Sequence, residues 1–196
     1  VFIADEVQPG FARTGQAFFG FARHGIVPDM ITMGKPMGNG IPISGLAAKE
    51  DVLVAFSDKL PYFNTFGGNP VSIAAAQAVL KYIKDENLQE HCKKAGAALL
   101  KALKEVQERH PESVGDVRGA GLFLGFEFVK NDGNKTPDKD MALNVIEMLR
   151  DEHILTSVIG HYGNILKLRP PMVFSENDID WFATSLDKCI TKLENK

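Results

Sequence analysis

Residues 29–40 read Asp-Met-Ile-Thr-Met-Gly-Lys-Pro-Met-Gly-Asn-Gly. Met30–Met33 is a short, mainly apolar run that stops at Gly34 and Lys35, which is the pattern of a strand buried on both faces. Lys35 is the one cation among apolar, glycine and proline residues, a setting that a solvated lysine does not need. A desolvated lysine has a lowered pKa and can attack a carbonyl carbon to form an imine. Lys35 is therefore a candidate nucleophile, and the simpler alternative is one more surface lysine.

A second apolar run, Val1–Ala4, stops in the same way at Asp5. Because ligands of open α/β sheets collect at the carboxyl ends of strands, we expect Asp5 and Lys35 to face one crevice. An imine-forming lysine and a carboxylate are two requirements of pyridoxal phosphate chemistry, since the carboxylate keeps the pyridine nitrogen protonated. The alternative for Asp5 is an ordinary turn residue.

Outward from these runs, the pattern predicts alternating strands and helices. Its first elements are a helical segment at 16–23, a strand at 43–48, a helix at 50–57, a loop at 58–70 and helices at 71–84 and 87–110. Residues 1–92 are expected to form the carboxyl-terminal part of a large, mixed-sheet domain.

In the remaining chain the sequence pattern changes to strands that bend at glycine residues. The predicted elements are strands at 114–118, 122–129, 154–158 and 165–168, a helix at 138–152 and a final helix that Ser175 and Asp178 open as a capping box. Residues 93–196 are expected to form a smaller α+β domain, so the fold class is α/β.

Composition excludes several classes of function. The 196 residues carry 22 Lys+Arg and 25 Asp+Glu, a net charge of −3, which is too balanced for a chain that mainly holds nucleic acid or an anionic membrane. Two cysteines, Cys92 and Cys189, favour a reducing compartment. The five histidines lack ligand spacing, so no metal site is predicted. Because Val1 opens within a strand, we expect a fragment of a longer protein.

Four stretches carry a family resemblance: Val1–Gln8, Asp29–Gly40, Phe63–Pro70 and Asp116–Leu122. In order and spacing they resemble the class III (ω-type) aminotransferases of fold type I, which depend on pyridoxal 5'-phosphate. The resemblance covers essentially the whole chain, as the carboxyl-terminal half of such an enzyme.

The resemblance implies a role for each matching residue. Lys35 would be the Schiff-base lysine and proton shuttle, and Asp5 would be the partner of the pyridinium nitrogen. Val7 would pack against the cofactor ring, and Gln8 would reach its phenolic oxygen. Thr65 would bind the cofactor phosphate of a neighbouring subunit, which implies a homodimer with shared active sites.

Arg169 matches the position where the family clamps a substrate carboxylate, and its alternative is a structural ion pair. The resemblance implies amino-group transfer from an amine or amino acid to a 2-oxo acid. The tail also resembles the family's phospho-lyases for phosphorylated amino alcohols, although that branch carries lysine at the place of Arg169. A noncatalytic oligomerising fragment is a third alternative. We expect a cytoplasmic location, with the mitochondrial matrix left open.

Overall fold

The computed structural model describes residues 1–195 and divides into two compact units between Glu90 and His91. The predicted boundary was two residues further along, between 92 and 93. The interpretation of the first unit as part of a larger cofactor domain stays a prediction.

The first unit contains a three-stranded mixed sheet in the order β1-β2-β3. The strands are β1 (Ile3–Asp5), β2 (Met30–Met33) and β3 (Gly45–Ala48). β1 and β2 are parallel, as predicted, and β3 is antiparallel to β2. β1, which ends at Asp5, and β2, which ends two residues before Lys35, therefore end at the same edge of the sheet.

The expectation that these strands are buried on both faces is wrong for this chain. Ile3 is 51% exposed and Leu46 on β3 is 53% exposed, while every residue of β2 is half-buried. The residues described in this unit do not cover both faces of so small a sheet. Apolar side chains that would close a core elsewhere therefore remain at the surface.

Two short 3₁₀ helices and two α-helices accompany this sheet: Gly20–His24, Lys35–Gly38, α1 (Glu50–Ser57) and α2 (Pro70–Asp85). The helix predicted at 16–23 is shorter and begins later, because its first N–H groups, those of Gly20 and Phe21, are held by the carboxylate of Glu6. α1 has its predicted bounds. At the start of α2, the side chain of Asn69 accepts a hydrogen bond from the N–H of Ser72, an ordinary N-cap.

The second unit is built on an antiparallel sheet in the order β4-β5-β7-β6. The strands are β4 (Val114–Ala120), β5 (Phe123–Phe128), β6 (Val158–Ile159) and β7 (Ile165–Leu168). The strand predicted at 154–158 is wrong over most of its length, since the N–H of Ile154 donates to the carbonyl of Leu149 and holds the segment at a helix end. Hydrogen bonding to β7 begins at the carbonyl of Ser157, which accepts from the N–H of Lys167, and the paired register begins at Val158.

Helices α3 (Leu88–Arg109), α4 (Lys139–Asp151) and α5 (Glu176–Glu194) supply the other residues of the second core. Side chains alternate along β5, where Leu124, Phe126 and Phe128 are buried. The predicted capping box of α5 is confirmed, with Ser175 and Asp178 bonding reciprocally.

The buried His110 ties the end of α3 to α5. Its Nδ1 lies 2.7 Å from a Glu194 carboxylate oxygen and its Nε2 lies 3.2 Å from an Asp187 oxygen. Ser113 donates to the other oxygen of Glu194. This histidine therefore has a structural role within the second unit.

No helix among residues 1–195 is both long enough and apolar enough to span a bilayer.

Candidate active site

Lys35 lies on the wall of a cleft of about 600 Å³ in the first unit. The other lining residues come from the segment before β3 and from the start of α2: 40–44, Asn64, 66–69, Ser72 and Ile73. Ser72 is buried and donates from its hydroxyl to the carbonyl of Pro42, which joins these two walls. The cleft is therefore a defined feature of this unit.

Local geometry explains why Lys35 faces this cleft. β2 ends at Met33, and Pro36 stands at the start of the 3₁₀ helix that follows. Asn39 and Gly40 then adopt positive φ values of 45° and 106°, which reverse the chain toward β3. Lys35 itself is exposed. The desolvated setting predicted for this lysine is thus not provided by the residues of this chain.

Asp5 ends β1 and pairs in register with Thr32 on β2. Its Oδ1 accepts hydrogen bonds from the N–H of Val7 at 3.1 Å and from the hydroxyl of Thr32 at 3.3 Å. Lys35 follows Thr32 by three residues, so the carboxylate and the amine stand at the carboxyl edge of two adjacent parallel strands. The sequence predicts that both residues stand at this edge; that they face one crevice stays a prediction, since Lys35 lines the cleft and Asp5 is not among its lining residues.

The turn after β1 brings Val7 to the same place. A Cβ on Gly34 would lie 3.8 Å from both methyl carbons of Val7, so this side chain packs on the residue before Lys35. Gln8 is half-buried in the same turn, and Thr65 is exposed in the loop between two cleft-lining residues, Asn64 and Phe66. The structure therefore groups Asp5, Val7 and Lys35 most directly.

Glu6 is a residue that the sequence analysis missed. It is 2% exposed, and its two carboxylate oxygens accept the N–H groups of Gly20 at 2.7 Å and Phe21 at 2.8 Å. These bonds close the loop that follows Asp5 and Val7. A buried carboxylate next to an exposed one has no distinguishing pattern in a single sequence, since both follow the same apolar run.

Arg169 belongs to the second unit and follows the last residue of β7. Its guanidinium carbon lies 5.1 Å from the ring centroid of Phe123, a cation–π contact. It also lines a mainly apolar cavity of about 530 Å³ with Lys167, Phe174 and Trp181. An aromatic face contacts this side chain, which neither the predicted carboxylate role nor its ion-pair alternative anticipated.

The first unit offers a pyridoxal group complementary chemistry. Lys35 provides an amine, Asp5 provides a carboxylate, and Val7 provides an apolar surface beside them. The cleft beside Lys35 has room for a substituted pyridine ring. By residue type the group fits, and Asp5 and Val7 stand at the strand ends next to Lys35, outside the residues that line the cleft.

Comparison with known proteins agrees with this chemistry. The class-III aminotransferase family model matches residues 1–190. An ethanolamine-phosphate phospho-lyase homolog of Caenorhabditis elegans is 44% identical over 192 residues, which cover 96% of this chain and 41% of the relative. An alanine–glyoxylate aminotransferase 2 homolog of Arabidopsis thaliana, named as mitochondrial, is 40% identical over 98% of this chain and 40% of the relative. The chain thus spans about two fifths of the length of these relatives.

The similar solved structures include one of a phospholyase and one of a transaminase. A phospholyase from Arthrobacter, in complex with phosphoethanolamine, superposes with a TM-score of 0.92 at 39% identity, over 96% of this chain and 44% of that one. A transaminase from the marine bacterium Virgibacillus superposes with a TM-score of 0.90 at 32% identity, over all of this chain and 46% of that one. Both the predicted resemblance and the fold type are confirmed.

Proposed function

This chain belongs to the class-III aminotransferase family, and we propose that the complete natural protein transfers an amino group from an amine or amino acid to a 2-oxo acid. The observation that carries the proposal is the grouping of Lys35, Asp5 and Val7 at one edge of the sheet. Family membership supplies the cofactor, pyridoxal 5'-phosphate.

When bound, the cofactor supplies an electron sink for the bond that breaks at the substrate carbon. Lys35 would hold the cofactor through Nζ and, once free, would move the proton at the substrate carbon. Asp5 would keep the ring nitrogen protonated, Val7 would pack against the ring, and Gln8 would reach the phenolic oxygen. All four assignments place chemistry on side chains at or just after the ends of β1 and β2.

The decisive experiment is borohydride reduction of the complete protein with bound cofactor, followed by peptide mapping. The adduct is expected on Lys35. Lys49 is the matched control, because it also follows a strand of this sheet but forms an ion pair with Asp29 at 2.7 Å. An adduct on Lys49 or elsewhere, with Lys35 unmodified, contradicts the assignment. A protein that takes up no cofactor supports the noncatalytic alternative.

Thr65 is proposed to bind the cofactor phosphate of a partner subunit in a homodimer. The support is that Thr65 lies in a loop whose neighbouring side chains, Phe63 and Phe66, are apolar and largely exposed. Complementation tests this: mixing Lys35→Ala and Thr65→Ala protomers should restore part of the activity, since one of the two shared sites then has both residues. Mixed protomers that remain inactive argue against sharing.

A second candidate function is phospho-lyase action on a phosphorylated amino alcohol. It is favoured by the 44% identity to a phospho-lyase homolog and by the similarity to the phosphoethanolamine-bound phospholyase. Release of inorganic phosphate from phosphoethanolamine, without amino transfer from amino acids, would replace the first proposal with this one.

Arg169 is proposed to bind the carboxylate of the substrate in the aminotransferase. Loss of a charge-assisted, bidentate contact costs on the order of 2 to 4 kcal/mol, so Arg169→Ala should lower kcat/KM for a 2-oxo acid by about thirtyfold to a thousandfold. A simple amine without a carboxylate should be almost unaffected in its own half-reaction. Equal losses with both substrates mean that Arg169 has a structural role.

The proposed location is the cytoplasm, with the mitochondrial matrix as the alternative because one relative is named as mitochondrial. Subcellular fractionation of cells that express the complete gene distinguishes the two.

A further inference from the structure

We propose that Thr32 is a positioning residue that fixes the carboxylate of Asp5 for its ring-nitrogen partner. The proposal rests on the proposed function and adds to it a residue that acts through Asp5. Thr32 stands opposite Asp5 in the parallel register of β1 and β2, and its hydroxyl donates to Oδ1 at 3.3 Å.

Two donors from different elements meet on one oxygen of Asp5. The N–H of Val7 approaches from the turn after β1, and the hydroxyl of Thr32 approaches from β2. Because both bonds end on Oδ1, they fix the plane of the carboxylate and leave Oδ2 as the oxygen that meets the ring nitrogen. Asp5 is exposed, so packing alone does not hold this side chain in one rotamer.

The hydroxyl of Thr32 is the feature that needs an explanation. Thr32 is the one polar side chain of β2, between Ile31 and Met33. Valine has the same shape and an equal or better strand propensity, so the strand itself gains nothing from the oxygen. A β-branched side chain has restricted χ1 rotation, so its hydroxyl is held toward the neighbouring strand before any ligand arrives.

The test uses the complete protein and two ligands, pyridoxal phosphate and its deaza analogue, in which carbon replaces the ring nitrogen. Thr32→Val removes the hydroxyl and keeps the volume, while Thr32→Ser keeps the hydroxyl. Loss of one hydrogen bond of ordinary net strength should raise the Kd of pyridoxal phosphate about fivefold to tenfold in Thr32→Val. The deaza analogue, which gains nothing from Asp5, should bind the variant no more weakly than it binds the parent. Thr32→Ser should restore the parent value.

Thr184→Val, at an exposed position of α5, is the control for the loss of a threonine hydroxyl and should change neither Kd. The second measurement repeats Thr32→Val in an Asp5→Ala background, where it should have no further effect, because the two residues act as one unit. If the valine variant does not fold, Thr32→Ala replaces it in both Kd measurements, and its thermal unfolding is measured alongside.

Equal weakening of both ligands would show that Thr32 only supports the strand, and an unchanged Kd for pyridoxal phosphate would show that the hydroxyl does nothing for Asp5. Either result overturns the positioning role and leaves the adduct at Lys35 intact. A parent protein that forms no adduct at Lys35 overturns the proposed function, and the role of Thr32 with it.

Discussion

The two units of this chain bury their apolar side chains to very different degrees. In the second unit, successive residues of β5 alternate between the buried core and the opposite face of the sheet. In the first unit, the strands are largely uncovered, with Ile3 51% and Leu46 53% exposed, and Phe63 in the loop before α2 is 85% exposed. Other exposed apolar residues of the first unit include Phe2, Val27, Leu60, Tyr62, Phe66 and Val71. Apolar composition alone therefore does not decide which strands become a core.

Polar contacts join several segments of the first unit. Asp29 accepts hydrogen bonds from the N–H of Phe2 and from Lys49, which joins the starts of β1 and β2 to the end of β3. Glu6 closes the loop after β1 in the same manner. Directional contacts of this kind place side chains without closing a core, and the candidate site stands among them.

The largest difference between the two units is expected in the free energy of unfolding when a phenylalanine is truncated to alanine. Phe126 is fully buried and its ring centroid lies 5.3 Å from that of Phe128. Phe126→Ala should lower the free energy of unfolding of the 196-residue chain by about 3 to 5 kcal/mol, from lost transfer energy and the cavity left behind. Urea unfolding followed by fluorescence of the single tryptophan, Trp181 on α5, reports on this unit.

Phe66→Ala is the matched change in the first unit, where this side chain is 80% exposed. Its cost should stay within about 0.5 kcal/mol, as for most surface substitutions. Hydrogen exchange at the amides of α2 measures this change in the free energy of unfolding. A cost close to that of Phe126→Ala would show that this surface is covered in solution, and the contrast between the units would then belong to the isolated chain only.

The next largest effect is expected at Glu6. Glu6→Gln keeps one acceptor oxygen but sets an amide NH₂ against a backbone N–H, either that of Gly20 or that of Phe21. Leaving a buried donor unsatisfied costs about 1 to 3 kcal/mol. Exchange of these two amide protons should accelerate by about one to two orders of magnitude, since 1.4 kcal/mol is a factor of ten.

Amides of β5 in the second unit serve as internal controls and should be unaffected by Glu6→Gln. If the Gly20 and Phe21 amides exchange at the parent rate, the loop after β1 is held by its backbone turns and not by this carboxylate.

The smallest effect concerns two half-buried carboxylates, one in each unit. Hydrogen bonds from Lys49 and from the N–H of Phe2 lower the pKa of Asp29. Hydrogen bonds from the N–H and then the hydroxyl of Ser175 lower the pKa of Asp178. A lowered pKa in the folded state means that each contribution to stability is complete above the unfolded pKa, about 3.9. It is lost as the pH falls through the lower, folded value.

Salt should distinguish these two carboxylates in an NMR titration of the side-chain carbons. Raising the salt to about 1 M screens the pair with Lys49, so the pKa of Asp29 should move toward its ordinary value. The pKa of Asp178 depends on uncharged donors of a capping box and should move less. Equal shifts for both would remove the distinction between a long-range ion pair and a local cap.

Local patterns predicted the elements whose causes are local. The bounds of α1 and β7, the capping box at Ser175 and the helical spacing of Leu99, Leu103 and Val106 all follow from residues within a few positions of one another. The strand predicted at 154–158 was wrong because the N–H of Ile154 bonds to the end of α4. The β propensity of the segment carries no information about this contact.

The sequence by itself determined the family and the order of the elements, and it predicted the roles of Lys35 and Asp5, because residue types at fixed spacings carry these properties. Only the tertiary structure decided that Thr32 meets Asp5, that Glu6 is the buried carboxylate of the adjacent pair, and that Phe123 holds Arg169. The physical reason is that each of these contacts joins residues that the chain separates by 14 positions or more. Register, loop closure and the face of a strand bring such residues together, and these depend on how the whole unit folds.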